Sequence, residues 1–593
     1  INGIMKDLNY DDKTLYFNGV NGATGGYLFP PQTVTEVAEI AQESLIAQQI
    51  DGKSPSAPTS NSHLCALNKR KHRTDEKEFG PIEGIDPKLI SETGWGIIFP
   101  ANIDPQIREA LSELINHRRQ EAGEYFQEYE VYSGETANDF LPRFGTNVFE
   151  PANPQKVPYY LLIVGDFATI PFDFQYQLDV QYAVGRIYFQ TPIEYAQYAH
   201  SIVEAETTNL SLPCKANFFG VRNPDDSATE LSADRLVKPL SEFFTSNKKF
   251  LKKNSHWEIE TYLAEQATKA QLSQLLGGEE TPALLFTASH GVGFPNQHKR
   301  QISHQGALVC QEWPGPEFSG PIPEDFYFSG DDISSSDRLF GLISFHFACY
   351  GAGTPKIDQF GHKNNKWEQI APYPFVANLP QRLLSHPQGG ALAFVSHVDR
   401  AWGQSFYWQG EEQIGSFQSM LQRLIEGHPI GSALETLNQR YAAVSSELTK
   451  ELWYIKAGRK SNDSALSYLW TTNNDARGYA IIGDPAVGLM VGNNASKMEK
   501  RREINQPVEF SSDLSATISH TTEKDFSSLV ELLNSLVQKI EKDKQQHALF
   551  DNLIDLLKNL AEKVKQAKTD KNLSEFEKLF KEFAETVKQL EIS

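Results

Sequence analysis

Cysteine is scarce in this chain. Its four residues, Cys65, Cys214, Cys310 and Cys349, are widely scattered over 593 positions, with no CxxC pair and no Cys/His spacing of the kind that holds zinc. The pattern gives no support for a disulfide framework or a structural metal, and no cofactor is expected. So few thiols in so long a chain fit a reducing compartment, where they stay free to react. Basic charge is also in deficit: 55 Lys and Arg face 76 Asp and Glu, a formal charge of -21. Such a surface is poorly suited to neutralising phosphates, so nucleic acid is not an expected partner. Long apolar runs are missing too. None approaches the roughly 18 to 20 residues that span a bilayer, and the opening INGIMKDLNYDDK does not read as a signal peptide. The expectation is a soluble, cytoplasmic protein with no membrane partner.

What is present is the composition of an ordinary globular protein, 40% hydrophobic and 22% charged. The length is too great for one core and implies roughly two to four domains. Residues 1 to 156 read as an N-terminal accessory α/β region. They contain two Gly-aromatic segments, FNGVNGATGGYLFPP (17 to 31) and SETGWGIIFP (91 to 100), each followed by a helical pattern, which suggests a weak repeat. Between these lies a polar stretch with the basic run Lys69 to Arg73, which reads as an exposed loop.

From 157 to 491, short apolar runs alternate with helical segments, the pattern of an α/β domain with a mainly parallel sheet flanked by helices. Strands are expected at 159–165, 216–221, 257–262, 283–289, 342–348 and 391–396, with a last strand and turn in GYAIIGDPAV (478 to 487). Near-continuous apolar runs of this kind suit strands buried on both faces. A boundary near residue 280 would divide a first half from a catalytic half. Residues 492–520, with the basic cluster Lys497, Lys500, Arg501 and Arg502, read as a linker. Leucine and phenylalanine at three- and four-residue intervals over 521–593 describe a three-helix bundle, either a packing appendage or a module that docks a protein partner.

Chemistry concentrates in LLFTASHGVG (284 to 293) and LISFHFACYGAGTP (342 to 355). Each is an apolar strand ending at a reactive side chain with glycine next or next but one. Ligands of open α/β sheets bind at the carboxyl ends of parallel strands, so two neighbouring ends would present His290 and Cys349 to one crevice. Acyl transfer also needs backbone N–H groups close to a developing oxyanion, where a side chain would obstruct; Gly291 and the Cys349 amide are the candidate donors. A thiol is mostly protonated at neutral pH unless an imidazolium or positive field lowers its pKa, and the same histidine can protonate a leaving amine.

The His290-Gly291 and Ala348-Cys349-Tyr350-Gly351 pairing resembles the caspase-like clan of cysteine peptidases. Phe347 stands where caspases have glutamine. A fuller resemblance, ordered over about 157 to 490, is to the gingipain-like family of that clan. It runs through LLIVGDFATIP (161 to 171), QLDVQYAVGRI (177 to 187), the His and Cys strands, GGALAFVSHVDRAW (389 to 402) and IIGDPA (481 to 486). The resemblance implies a cysteine endopeptidase acting on protein or peptide substrates, with Asp179 and Trp402 shaping the primary specificity pocket. A carboxylate beneath an aromatic wall would favour Arg or Lys at P1. The segment between Asp179 and Gly185-Arg186 is shorter than the family usually has.

Other residues have plainer readings. His346, at odd separation from Cys349 along the strand, should face away from it. Asp166 and Asp173 follow the first strand, and spacing does not choose either as an orienting partner for His290. Asp331-Asp332 alone is weak as a calcium site. If the pocket selects basic residues, the clusters at 69–73 and 497–502 become expected self-cleavage sites. Two other functions stay open on sequence alone: a catalytically silent caspase-like adaptor, and a cysteine transpeptidase in which an amine replaces water.

Overall fold

The computed structural model describes residues 13–51, 80–208, 210–363, 366–408, 410–492 and Ile504. The chain divides into two compact units, Ile1–Phe510 and Ser511–Ser593. The second unit, and with it the expected three-helix bundle, lies outside the described residues, as do Cys65 and both basic clusters.

Near the start of the described chain lie a short strand β1 (Gly19–Asn21) and helix α1 (Val34–Asp51). Strands β2 (Trp95–Pro100), β3 (Phe126–Val131), β4 (Tyr160–Val164) and β5 (Ala183–Ile187) follow. Helix α2 (Phe172–Leu178) lies between β4 and β5, and α3 (Pro192–Thr207) follows β5. The start of α3 is fixed by Pro192 in its first turn and by a reciprocal box in which Thr191 and Glu194 satisfy each other's backbone N–H groups. Next come β6 (Lys215–Gly220), helix α4 (Ser227–Ser232), β7 (Glu258–Leu263), β8 (Leu284–Ala288), the short β9 (Gly291–Gly293), β10 (Ile343–Phe347) and β11 (Ala393–His397). Helices α5 (Ile430–Lys456) and α6 (Asp463–Gly478) lead into β12 (Tyr479–Gly483).

Ten strands form one sheet in the order β3-β2-β4-β5-β12-β11-β10-β8-β6-β7. Every neighbouring pair is parallel except β11 and β12, which run antiparallel with Ala393 opposite Gly483 and His397 opposite Tyr479. The sheet is therefore two five-stranded parallel halves of opposite direction joined at one seam. This mixed α/β architecture, a large and mostly parallel sheet flanked by helices, follows from the fully buried strands β4, β5, β8, β10, β11 and β12, which have apolar neighbours on both faces.

The sequence-derived boundaries differ from this arrangement in two places. Strands β2 and β3 belong to the central sheet, so the sheet crosses the expected division at residue 156. The chain passes from one sheet half to the other between β5 and β6 and returns between β11 and β12, whereas the expected internal division lies near residue 280. Nor do the two Gly-aromatic segments act as repeats: residues 95–100 form a buried strand of the large sheet, whereas 19–21 join a separate four-stranded sheet with β9, 308–309 and 327–328.

A buried polar network anchors the end of β12. Asp484, just beyond β12, accepts from Trp95 Nε1 at 3.0 Å and from Arg118 Nε at 2.8 Å, while Arg118 also holds Glu206 at 2.7 Å. This gives IIGDPA a structural task. Glu206 and Asp484 in turn outweigh the burial that would lower the pKa of the fully enclosed Arg118 guanidinium, keeping it charged.

Candidate active site

In the second half of the sheet, Ala288 and Phe347 lie side by side on β8 and β10, so His290 and Cys349 each follow two residues beyond a paired strand end. The Ser289 N–H donates to the Phe347 carbonyl, prolonging the pairing past the sheet. Both reactive residues are fully buried.

Gly291 fits because the backbones nearly touch: a Cβ there would lie 1.8 Å from the Cys349 carbonyl oxygen. After Cys349 the chain turns through Tyr350 at φ 60°, a left-handed conformation rarely adopted by such a bulky residue. Gly351 then passes Ser396, whose Oγ would stand 2.2 Å from an added Cβ. Each of these glycines in the two motifs is thus required by close packing.

The Gly291 and Cys349 N–H groups converge. Both donate to one acceptor, the main-chain carbonyl of Asn18, at 2.9 and 3.1 Å. Cys349 Sγ accepts from the Ala401 N–H at 3.2 Å. Burial pushes the thiol pKa far up; the Ala401 N–H and Arg400 only partly oppose that effect.

The partner of His290 is Asp226, whose Oδ2 lies 2.7 Å from Nε2, with both side chains fully enclosed. Asp226 is the N-cap of α4, accepting from the Ala228 and Thr229 N–H groups, and its Oδ1 accepts from Tyr27 Oη at 2.7 Å. Burial would raise this carboxyl, but the His290 charge, with hydrogen bonds from His290, Thr229 and Tyr27, holds it below the usual range. His290 Nδ1 has no hydrogen-bond partner among the described residues. With Nε2 tied to Asp226, Nδ1 is the nitrogen left for proton transfer. Trp313 and Tyr27 meet the imidazole edge-on, with ring centroids 5.3 and 6.0 Å away.

Asp226 was missed in the sequence, where Asp166 and Asp173 were the aspartates weighed as orienting partners. Asp166 instead caps its own turn, accepting from the Thr169 N–H and hydroxyl. The signal for Asp226 was nonetheless there: ANFFGVRNPDD is another apolar strand running into a carboxylate at the same sheet edge. His346 sits away from the thiol, with Nδ1 2.8 Å from Thr287 Oγ1 and its ring stacked on Phe394; burial lowers its pKa to about 3.

The expected specificity residues separate. Trp402 is fully buried and meets Phe17 edge-on at 5.3 Å and Phe360 at 4.8 Å, so it walls the position of the residue before Asn18. Asp179 does not join it. Asp179 ends α2, with its N–H bonded to the Gln175 carbonyl, and its electrostatic neighbour is Arg186 on β5. The register carries Ala183 level with Phe347, but β12 and β11 intervene, a separation of about 14 Å at ordinary strand spacing. The Asn18 side chain turns the opposite way, toward Ser289 at the end of β8. This placement sets Asp179 apart from Trp402 and lends no support to its expected role in selecting the P1 residue.

The carboxylates that could hold a metal already have protein partners. Among the described residues, His117, Glu121 and Glu206 have ligand atoms close enough to share an ion. The Arg118 guanidinium fills that place, binding both carboxylates. Asp331 pairs with His304, and Asp332 caps Ser329 and meets Lys269 Nζ at 2.7 Å.

No protein-family model and no curated protein matches the chain. A solved structure described as "Structure of Protease" is similar at 12% identity with a TM-score of 0.41, over 67% of this chain and 78% of that one. Likeness at that level does not define a shared fold. Among the described residues no helix is long and apolar enough to cross a membrane.

Proposed function

We propose that this chain is a cysteine endopeptidase in which Cys349 is the nucleophile, His290 the acid-base and Asp226 the residue that orients His290. The observation that carries this reading is the convergence of the Gly291 and Cys349 N–H groups on one carbonyl oxygen beside Sγ. Two preorganised donors aimed at a carbonyl stabilise the oxyanion that forms when a nucleophile attacks it, and removing one such donor typically costs about 10²–10³ in rate.

In the proposed reaction the thiol proton passes to His290 Nδ1 and Sγ bonds to the substrate carbonyl carbon. The oxyanion rests on the two N–H groups. Collapse breaks the C–N bond as the imidazolium protonates the leaving amine. Water, deprotonated by His290, then releases the thioester as a carboxylate and regenerates the thiol. Asp226 keeps the Nε2–H tautomer and stabilises the imidazolium. Substrates are peptides or proteins, and the region 521–593 is proposed to recruit them or a protein partner. A transpeptidase would share the thioester and differ only in using an amine in place of water.

The test is a fluorogenic peptide panel with Arg, Lys, Asp or Asn at P1, comparing the full chain with Cys349→Ala. Turnover that disappears in the variant supports the reading. Turnover that persists in it would sink Cys349 as the nucleophile, and none with any peptide would favour a silent adaptor.

A further inference from the structure

We infer that the Asn18–Gly19 peptide bond is a substrate of the chain's own active site, and that the subsite for the residue before the cut accepts asparagine. The inference rests on the endopeptidase reading and names the substrate class of that same site.

Residues 16–18 lie in the cleft as an extended substrate would. The Asn18 N–H donates to the Ala401 carbonyl at 2.9 Å, the Gly403 N–H donates to the Tyr16 carbonyl at 3.1 Å, and Phe17 forms an antiparallel bridge with Trp402. This is strand addition, in which main-chain bonds fix the register and alternate side chains enter pockets. The register places one particular carbonyl, that of Asn18, on the two oxyanion donors. The residue across the bond, Gly19, lies so near the nucleophile that a Cβ on it would stand 3.3 Å from Sγ. Beyond the bond, β1 continues by pairing in parallel with β9, with Gly19 opposite Gly291.

The Asn18 side chain is 1% exposed. Its Nδ2 donates to Ser232 Oγ and to the Ser289 carbonyl, both at 3.2 Å, while Oδ1 has no partner among the described residues. A carbonyl at the pocket wall requires a donor. Aspartate would set a carboxylate oxygen against it, leaving both acceptors unpaired out of water. Before Asn18, Phe17 packs on Trp402, with the Arg400 guanidinium 5.0 Å from its ring. The motif recognised is therefore aromatic-Asn, followed by a residue as small as glycine.

The same segment closes the site. Tyr27, eight residues after Gly19 in the chain, is bonded to Asp226, and Cys349 and His290 are fully buried beneath it. Attack by Sγ on the Asn18 carbonyl carbon transfers the chain up to Asn18 to the thiol, and the proton goes through His290 to the Gly19 amine. Water then frees the Asn18 carboxylate. Once Tyr16–Asn18 leaves the edge at 401–403, the site that bound it is open to other peptides.

The full-length chain and Cys349→Ala, incubated in parallel, are read by intact mass and N-terminal sequencing. The expected result is loss of residues 1–18 and a new Gly19 terminus in the wild type, at a rate independent of protein concentration, with none in Cys349→Ala. Spontaneous scission at an Asn-Gly step would appear in both and overturn the assignment. The near-isosteric Asn18→Asp should slow the cut about 100-fold, the loss expected when a buried hydrogen-bond pair is replaced by two unpaired acceptors. A quenched Tyr-Phe-Asn-Gly-Val-Asn peptide should be cleaved after Asn, and its Arg and Asp replacements poorly. If the protein cuts other peptides through Cys349 while Asn18–Gly19 stays intact, this inference is overturned and the endopeptidase reading survives. If no peptide is cut in a Cys349-dependent way, both fall.

Discussion

Replacing Asp226 with asparagine separates orientation from folding at this site. The carboxylate serves two groups of donors: Tyr27 Oη at 2.7 Å and the Ala228 N–H at 3.2 Å on Oδ1, and His290 at 2.7 Å with the Thr229 hydroxyl at 2.5 Å and N–H at 3.3 Å on Oδ2. In Asp226→Asn one oxygen remains, enough to cap α4 and hold Tyr27, while an NH₂ faces His290. That donor drives the imidazole to the other tautomer, with its proton on Nδ1, the nitrogen that must accept from the thiol. Loss of a charge-assisted hydrogen bond costs about 1.5–3 kcal/mol of stability, offset in part by the retained cap. Loss of acid-base function costs about 10²–10⁴ in rate, and at 1.36 kcal/mol per decade that is about 3–5 kcal/mol of barrier. Catalysis should therefore fall further than stability. The assay is kcat and KM on the best peptide of the panel, with thermal denaturation beside it. A fall confined to kcat is expected, and Asp226→Ala should cost more stability because the cap goes too. The wild type should also lose stability as pH falls through the depressed Asp226 pKa, since its contribution is fully present only above the unfolded value of about 3.9. Asp226→Asn should flatten that acid limb. An Asp226→Asn protein with unchanged kcat would refute the assignment.

Three further outcomes follow from the geometry. Gly291→Ala should abolish Cys349-dependent turnover by about 100-fold or more and cost about 1–3 kcal/mol in denaturant unfolding, because the new methyl meets backbone that cannot move aside. Burial and the nearby Asp358 push the Asp399 carboxyl to about 7, so the folded state holds a proton that the unfolded chain has released above pH 4; stability should decline as pH rises from about 4 to 7. Asp399→Asn should remove that decline, as seen in melting curves across the range, and asparagine tolerates the left-handed φ of 101° there. Asp179→Asn should leave the ranking of P1 residues in the peptide panel unchanged; a collapse of cleavage after one residue type would restore Asp179 as a selector.

Much of this was legible in the chain because strands buried on both faces must be written as apolar runs. All seven strands expected between 157 and 491 occur in the sheet, shifted by a residue or two, and the logic of strand ends led to His290, Gly291 and Cys349. β5 was harder to read: it carries Gly185 and Arg186, whose Nε and Nη1 find acceptors only outside the strand, at Gln175, Gly165 and Asp166. β3 was also obscure, because three of its six residues, Gln127, Glu128 and Glu130, are exposed and polar.

What the sequence determined by itself was the inventory: a mainly parallel α/β sheet, and a thiol and an imidazole at neighbouring strand ends. Those features depend on local periodicity and on which residues occupy consecutive positions. Only the tertiary structure decided which carboxylate serves His290, which pocket lies beside Cys349, and what fills it. Asp226 is 64 residues from His290, and Asn18 is 271 residues from the Ser289 carbonyl it contacts. Separations of that size leave no periodic trace, because the contacts depend on how ten strands are ordered and on the single seam where their direction reverses.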